Sequence, residues 1–384
     1  MAWNTLDWLD LMLRWFHVMA GISWIGGSLY LLWLDRILAS PERAAKGEHG
    51  EPWLINLAGS LLVEKLKLGP DGLVKTHAWF KRETTLTYVS GILLLVMVAQ
   101  LPGGGLLIGA EGQPLDGLVA AALIAAPLIL GWVCYDLCWR LTPADQPLVP
   151  GAVSYAAFVA LAWGLAQVFS GRAVFIVLGA TLGTIMMGNV WFRILPALKE
   201  MSEAQGIDPQ ARMRATHNSY LIFPTVVLML GNHYPVIYGH HFNWLIIALL
   251  AAAFVLLRHV VVGGKAGRRA LAPVAALALG AFVISAVPPP RLAAGEDAIS
   301  FAAVRGIVIE RCLSCHSTVP SDRTFGPLAA GIAFDRPEDI KRHAARIKAR
   351  AVDSLTMPNR HQSGMTAAER KLLGRWVNQG ARLE

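Results

Sequence analysis

Arg311-Cys312-Leu313-Ser314-Cys315-His316 contains Cys-x-x-Cys-His, the pattern that carries a covalent c-type haem. Two thiols add to the porphyrin vinyl groups and the adjacent histidine reaches the iron. Cys312 and Cys315 are therefore the expected attachment points and His316 the proximal ligand. A zinc site would need a second ligand pair in this part of the chain, and the sequence offers none. A thioredoxin-like dithiol would need a βαβ pattern around it, which is also missing. The distal ligand should come from a later loop. Met357, in Thr356-Met357-Pro358-Asn359, is the expected one, since a thioether opposite histidine raises the potential and suits an electron acceptor. Met365 ranks second because it stands just before a helix start. His343 and His361 read as surface residues, with a His/His haem as the other arrangement.

An electron acceptor needs a donor, and the ionisable residues upstream lie inside long apolar runs, where polar groups are expensive. Asp7, Asp10, Arg14, His17, Gly21, Trp24 and Ser28 recur at spacings of three and four, which is one face of a helix. Asp10 and Arg14 can pair one turn apart. His17 is either a hydrogen-bonded histidine on a packing face or an axial ligand of a haem b, and the stripe favours the ligand. Farther on, Arg214-Ala215-Thr216-His217-Asn218-Ser219-Tyr220 opens a span that closes with Gly231-Asn232-His233-Tyr234-Pro235. On a helix the two histidines stand about 24 Å apart, so they cannot share one site. His233 falls at the end shared with His17 and is the expected second haem b ligand. His217 and Asn218, together with His77 before the second span, mark the other end as the place for substrate contact and proton transfer, histidine being the natural proton carrier near neutral pH. His240, His241 and His259 are as readily solvated interfacial residues, and Trp79 and Lys81 an interfacial belt.

The elements that hold these residues are membrane spans. The chain has 384 residues, 55% hydrophobic and only 16% charged, which excludes an ordinary soluble domain, where about a quarter is charged. Eight spans are expected, at roughly 9–33, 84–101, 117–137, 150–169, 173–191, 218–235, 242–261 and 271–287. Pro288-Pro289-Pro290 ends the last of them. The fold expected is all-α: a polytopic helix bundle over about 1–287, a Pro-rich linker over about 288–295, and a small class I cytochrome c domain over about 296–384. In that domain Thr366-Ala367-Ala368-Glu369 is a capping box, and Leu372, Leu373, Trp376 and Val377 give the helix it opens an apolar face. Cys134 and Cys138, one turn apart in an apolar run, read as buried small apolar residues.

Loop charge orients the bundle. The net charge of +8 does not imply nucleic-acid binding, because the basic residues collect in alternate loops: Arg36, Arg43, Lys46, Lys65, Lys67, Lys75, Lys81 and Arg82; Arg140; Arg193, Lys199, Arg212 and Arg214; Arg258, Lys265, Arg268 and Arg269. The opposite loops hold Arg172. By the positive-inside rule the basic loops are cytoplasmic and both termini lie outside. That places Cys312–His316 in the compartment where c-type haem is attached.

The chain as a whole resembles the bacterial integral-membrane urate oxidases (urate hydroxylases) fused to a cytochrome c. The resemblance is carried by Leu13-Arg14-Trp15-Phe16-His17 with Gly21-Ile22-Ser23-Trp24-Ile25-Gly26; by Trp79-Phe80-Lys81; by His217-Asn218-Ser219-Tyr220 with Pro224 and Asn232-His233-Tyr234-Pro235; and by Cys312 to His316 with Met357-Pro358. It implies oxidation of urate to 5-hydroxyisourate at the bacterial inner membrane. The electrons would pass to the chain's own haem c, then to a soluble cytochrome or terminal oxidase. The first-span pattern also resembles membrane protoporphyrinogen oxidases that bind haem b, which implies a ligand role for His17. Two departures bear on the substrate. Trp53-Leu54-Ile55-Asn56-Leu57-Ala58-Gly59-Ser60 stands where that family carries a Gly- and His-rich stretch, and Ala78 separates His77 from Trp79. The rival readings are a membrane-anchored electron carrier without substrate chemistry, and an oxidoreductase for another purine or a porphyrin. A lone anchor would need one span rather than eight.

Overall fold

The computed structural model describes residues 5–38, 53–56, 59–62, 79–100, 115–200, 208–262, 267–287, 298–323, 327–353, 357–358 and 364–384. Among the described residues, ten α-helices make up the first part: α1 (Thr5–Leu38), α2 (Trp79–Gln100), α3 (Gly117–Leu141), α4 (Leu148–Val168), α5 (Gly171–Asn189), α6 (Leu195–Glu200), α7 (Pro209–Gly231), α8 (Pro235–Tyr238), α9 (Asn243–Val262) and α10 (Leu271–Ser285). One π-helical turn, Val190–Ile194, joins α5 to α6. The fold is all-α, as expected, and the described residues add to it one short antiparallel hairpin, β1 (Trp53–Asn56) with β2 (Gly59–Leu62), in which Asn56 lies opposite Gly59. It occupies the stretch where the sequence departs from the resembled family.

Seven of these helices are long and apolar enough to cross a membrane: α1, α2, α3, α4, α5 with its continuation to Ala197, α9 and α10. The eight spans expected are thus seven by this measure. The remaining one, α7, is helical over 23 residues, but Arg212, Arg214, Thr216, His217, Asn218 and Ser219 make its first half polar. It packs between α5 and α9, and Arg214, Asn218 and Ser219 are buried there while Arg212 and Thr216 stay exposed.

The bundle is built around α5, 78% of whose apolar window is buried, against 6% for α1 and α10 at the rim. Small residues permit this, since apolar lipid gives no hydrophobic drive between helices and close backbone approach must supply the contact. At Gly188 a Cβ would stand 2.7 Å from the Trp132 ring of α3, so only glycine lets α3 and α5 meet there. Facing outward are Trp8, Leu11, Trp15, Ile22, Ile129, Val133, Leu137, Trp163 and Phe282. Cys134 is exposed on this surface and Cys138 half-buried. The expectation of two buried cysteines fails for Cys134 because a lipid-facing surface is as apolar as a core, and composition does not separate the two.

Residues 298–384 have a core of their own. Helix α11 (Phe301–Arg311) crosses α14 (Ala367–Asn378), with α12 (Pro337–Arg342), α13 (Ala344–Ile347) and a π-helical turn at Lys348–Asp353 between them. Val304, Val308, Ile340, Leu373 and Trp376 form its centre. The Phe301 and Trp376 rings lie 6.0 Å apart, and Arg311 pairs with Glu369 at 2.9 Å. Thr366 and Glu369 make the capping box that opens α14, and Leu372, Leu373, Trp376 and Val377 pack inward from it. The Lys348–Asp353 turn lies against α8. The segment expected as a linker, 288–295, falls outside the described residues.

Candidate functional site

The polar residues of α3, α5 and α7 converge on one buried network. Asn189, the last residue of α5, is fully enclosed, so its amide must be satisfied by protein. Its Nδ2 donates to the Tyr135 hydroxyl at 3.0 Å and to Asn218 Oδ1 at 2.7 Å. Its Oδ1 accepts from Arg214 Nη1 at 3.2 Å. Asn218 completes its own set by donating to the Met186 carbonyl at 3.0 Å. With its oxygen occupied by Asn189, the Tyr135 hydroxyl directs its proton to His217 Nδ1, 2.8 Å away. The imidazole is stacked on Tyr135 and lies 4.1 Å, ring to ring, from Trp139. The geometry therefore sets the tautomer: Nδ1 accepts, and Nε2 carries the hydrogen.

Charge anchors the same network. Asp136 faces two arginines. Arg193 Nε donates to Oδ1 at 2.8 Å, with Nη2 on Oδ2, and Arg214 Nη2 reaches Oδ1 and the Asp136 carbonyl, both at 2.9 Å. Arg193 belongs to the π-helical turn, and such turns recur at functional sites because the extra residue re-aims side chains. Arg214 is 1% exposed; a buried guanidinium of this kind is tolerable only when its donors are used. A second buried polar group lies on α2, where the Glu83 carboxylate oxygen Oε2 and the Thr84 hydroxyl have no hydrogen-bond partner among the described residues.

His17 sits elsewhere, on α1 against α2. Its Nδ1 lies 3.0 Å from the Thr87 carbonyl and 3.0 Å from the Ser90 hydroxyl. A Cβ at Gly91 would stand 2.9 Å from the imidazole, so α2 makes room for the ring. A carbonyl acceptor at Nδ1 leaves Nε2 as the lone-pair nitrogen, the arrangement a haem ligand needs. The expected pairing of Asp10 with Arg14 is present at 2.8 Å. His233 is exposed beyond the end of α7, and no hydrogen bond or ring contact joins it to His17 among the described residues. His77 lies outside the described residues.

In the C-terminal unit the Cys312–His316 stretch is a tight turn after α11. Cys315 and His316 both donate backbone N–H to the Cys312 carbonyl, at 3.2 and 2.9 Å. His316 Nδ1 lies 3.1 Å from the Ile332 carbonyl, which fixes the ring and leaves Nε2 free to ligate. Cys312, Leu313 and Met357 pack against the same core. Met357 is held at both backbone groups, its N–H donating to the Arg350 carbonyl at 3.0 Å and its carbonyl accepting from Arg370 at 2.8 Å. Burial pushes the Cys312 thiol up to about 12, unlike the low-pKa thiolate of a redox dithiol. The Ser317 hydroxyl, hydrogen-bonded to Asp335 at 2.6 Å, holds that carboxylate below the usual range and ties the turn to the strand-like segment after Ile332. These residues fit a c-type haem. Met365, the second choice for distal ligand, is buried in the core. His343 packs on the edge of Phe334, and His361 lies outside the described residues.

Sequence reasoning found His217 and Asn218 but passed over Tyr135, Asp136, Asn189, Arg193 and Arg214. The signal was available for Asp136, a carboxylate inside an apolar run. Asn189 and Arg193 look like an ordinary helix end, and only the fold brings them to the histidine.

The model of the urate oxidase N-terminal family matches residues 4–288, and the chain belongs to that family. The match spans α1 to α10 and stops before the Cys312–His316 unit. No curated protein and no solved structure matches the chain.

Removing the carboxylate that two arginines share leaves buried cations unpaired. Asp136→Asn should destabilise the bundle by about 3–5 kcal/mol, read as a lowered unfolding midpoint in detergent, while Cys134→Ser on the outer face of the same helix should change it by less than about 0.5 kcal/mol. Equal midpoints would mean that the triad carries no structural load.

Proposed function

We propose that this chain is a membrane-bound urate oxidase that forms 5-hydroxyisourate and delivers the electrons to a c-type haem on its own C-terminal unit. Membership of the urate oxidase N-terminal family carries the reading, and it accounts for a buried proton-handling network in a bundle that a mere anchor would not need. The overall change, urate + H2O → 5-hydroxyisourate + 2 e⁻ + 2 H⁺, requires a route for two protons and one for two electrons.

Proton handling falls to the network. His217 is held by Tyr135 and Trp139 with a fixed tautomer, so its ring can pass a proton in one direction without reorienting. Asn189 and Asn218 hold the residues that orient it, and Asn218 keeps its expected role as a substrate contact. The Glu83 oxygen Oε2, without a hydrogen-bond partner among the described residues, is a second acceptor. His77, two residues before Trp79 in the sequence, belongs to the same expected site.

Cys312 and Cys315 would attach the haem, with His316 and Met357 as axial ligands. Bound there, the haem supplies a one-electron acceptor of raised potential. His17 would hold a haem b in the bundle with His233 as the expected partner, a relay being needed because tunnelling across a full membrane thickness is slow. The orientation that loop charge favours puts both termini and the haem unit in the periplasm, at the inner membrane, beside a soluble cytochrome or terminal oxidase.

Two measurements follow. The purified full chain, given urate and ferricyanide as one-electron acceptor, should consume urate and form 5-hydroxyisourate, and His217→Ala should lower kcat/KM by on the order of 10²–10⁴-fold with the c-haem spectrum intact. Absence of urate loss in the wild type contradicts the reading. For the relay, the protein should carry one acid-extractable haem per chain in addition to the covalent one, lost in His17→Ala; a preparation with the covalent haem alone sinks the haem b.

A further inference from the structure

We propose that a recess at the junction of α3 and α7 is the docking site through which a planar, anionic oxopurine enters the bundle. The inference rests on the urate reading above and names the residues that receive the substrate before it meets Tyr135 and His217. The recess has a volume of about 220 Å³ and is lined by Arg140, Arg193, Asp208, Gln210, Ala211 and Arg214. Loop charge assigns this end of the bundle to the cytoplasm.

Three arginines in one small recess need anions, and the protein supplies fewer than it could use. Arg193 and Arg214 share the single carboxylate of Asp136. Asp208 faces its own helix, accepting from the Gln210 N–H at 3.0 Å. Arg140 is exposed in the last turn of α3; its charge acts on Asp136, but its guanidinium has no hydrogen-bond acceptor among the described residues. Gln210 is the other unfinished group. Its Nε2 donates to the Thr142 carbonyl at 3.0 Å, while its Oε1 is shielded from solvent and has no donor among the described residues. A recess with an unused guanidinium and an unused carbonyl asks for a ligand with both an anionic acceptor edge and an N–H. Urate is a monoanion near neutral pH, with carbonyl oxygens and ring N–H groups on one plane. A guanidinium fork matches such an edge bidentately.

The recess also leads somewhere. Arg214 lines it and donates to Asn189, the residue that positions Tyr135 against His217. The wall of the recess is thus the back of the proton-handling network. A plain positive-inside arginine would explain Arg140 alone, but neither the cavity nor the donorless Gln210 carbonyl.

The test uses the full chain in detergent with urate and ferricyanide. Arg140→Gln should raise KM about tenfold with kcat retained, the size of one charge-assisted contact, and Arg140→Lys should recover part of the loss. Arg268→Gln, after α9 and outside the recess, should leave KM unchanged. A KM unaltered by Arg140→Gln, or raised equally by Arg268→Gln, overturns the docking site while urate oxidation stands. A wild-type chain that consumes no urate removes the function itself, and the docking site with it.

Discussion

One carboxylate shared by two arginines organises the membrane portion. Asp136 lies in an apolar helix, where an unpaired charge would cost several kcal/mol; Arg193 and Arg214 remove that cost and are in turn fixed by it. Because Arg193 comes from the π-helical turn and Arg214 from α7, the triad ties three helices to a common register. Everything next to it inherits that register: Asn189 takes a donor from Arg214, orients the Tyr135 hydroxyl, and so sets His217. The site is accurate because each amide and hydroxyl in it has one assignable role, which is how a buried polar network rigidifies rather than weakens a bundle.

The helix packing follows from the same constraint. Helix α5 must bring Asn189 to the centre, so its length is lined with small residues and its neighbours approach closely. Helix α7 brings Arg214, His217, Asn218 and Ser219 into the bundle between α5 and α9, while Arg212 and Thr216 stay exposed. It fails as an independent span for the reason that it succeeds as a site-bearing helix: three of the groups that make it polar, Arg214, His217 and Asn218, are ones the network uses. The rim helices α1 and α10 face outward, and α1 contributes a histidine whose hydrogen bonds to α2 leave one nitrogen available.

Local signals were readable in the sequence. The Cys-x-x-Cys-His turn, the capping box of α14 and the Asp10–Arg14 pair each depend on residues a few positions apart, and each stands where the spacing puts it. Most helices were found with small shifts in their ends, because apolar length is a strong signal, whereas α7 starts nine residues before its expected span because its first half is polar. What spacing cannot show is convergence. Tyr135, Asn189 and Arg193 carry no local mark, and their meeting with His217 depends on which faces three helices present. Apolar composition likewise cannot separate lipid from core, which is why Cys134 was misplaced, and the β1–β2 hairpin was missed because its four-residue strands lie among the helical expectations of an all-α chain.

The central claim is that electrons leave the purine through this chain's own haem. The most direct measurement is anaerobic: mix the oxidised full chain with urate in a stopped-flow instrument and follow the reduced c-haem band. The account predicts reduction within catalytic turnover times and two haem equivalents reduced per urate consumed. A haem that dithionite reduces and urate leaves oxidised would contradict it.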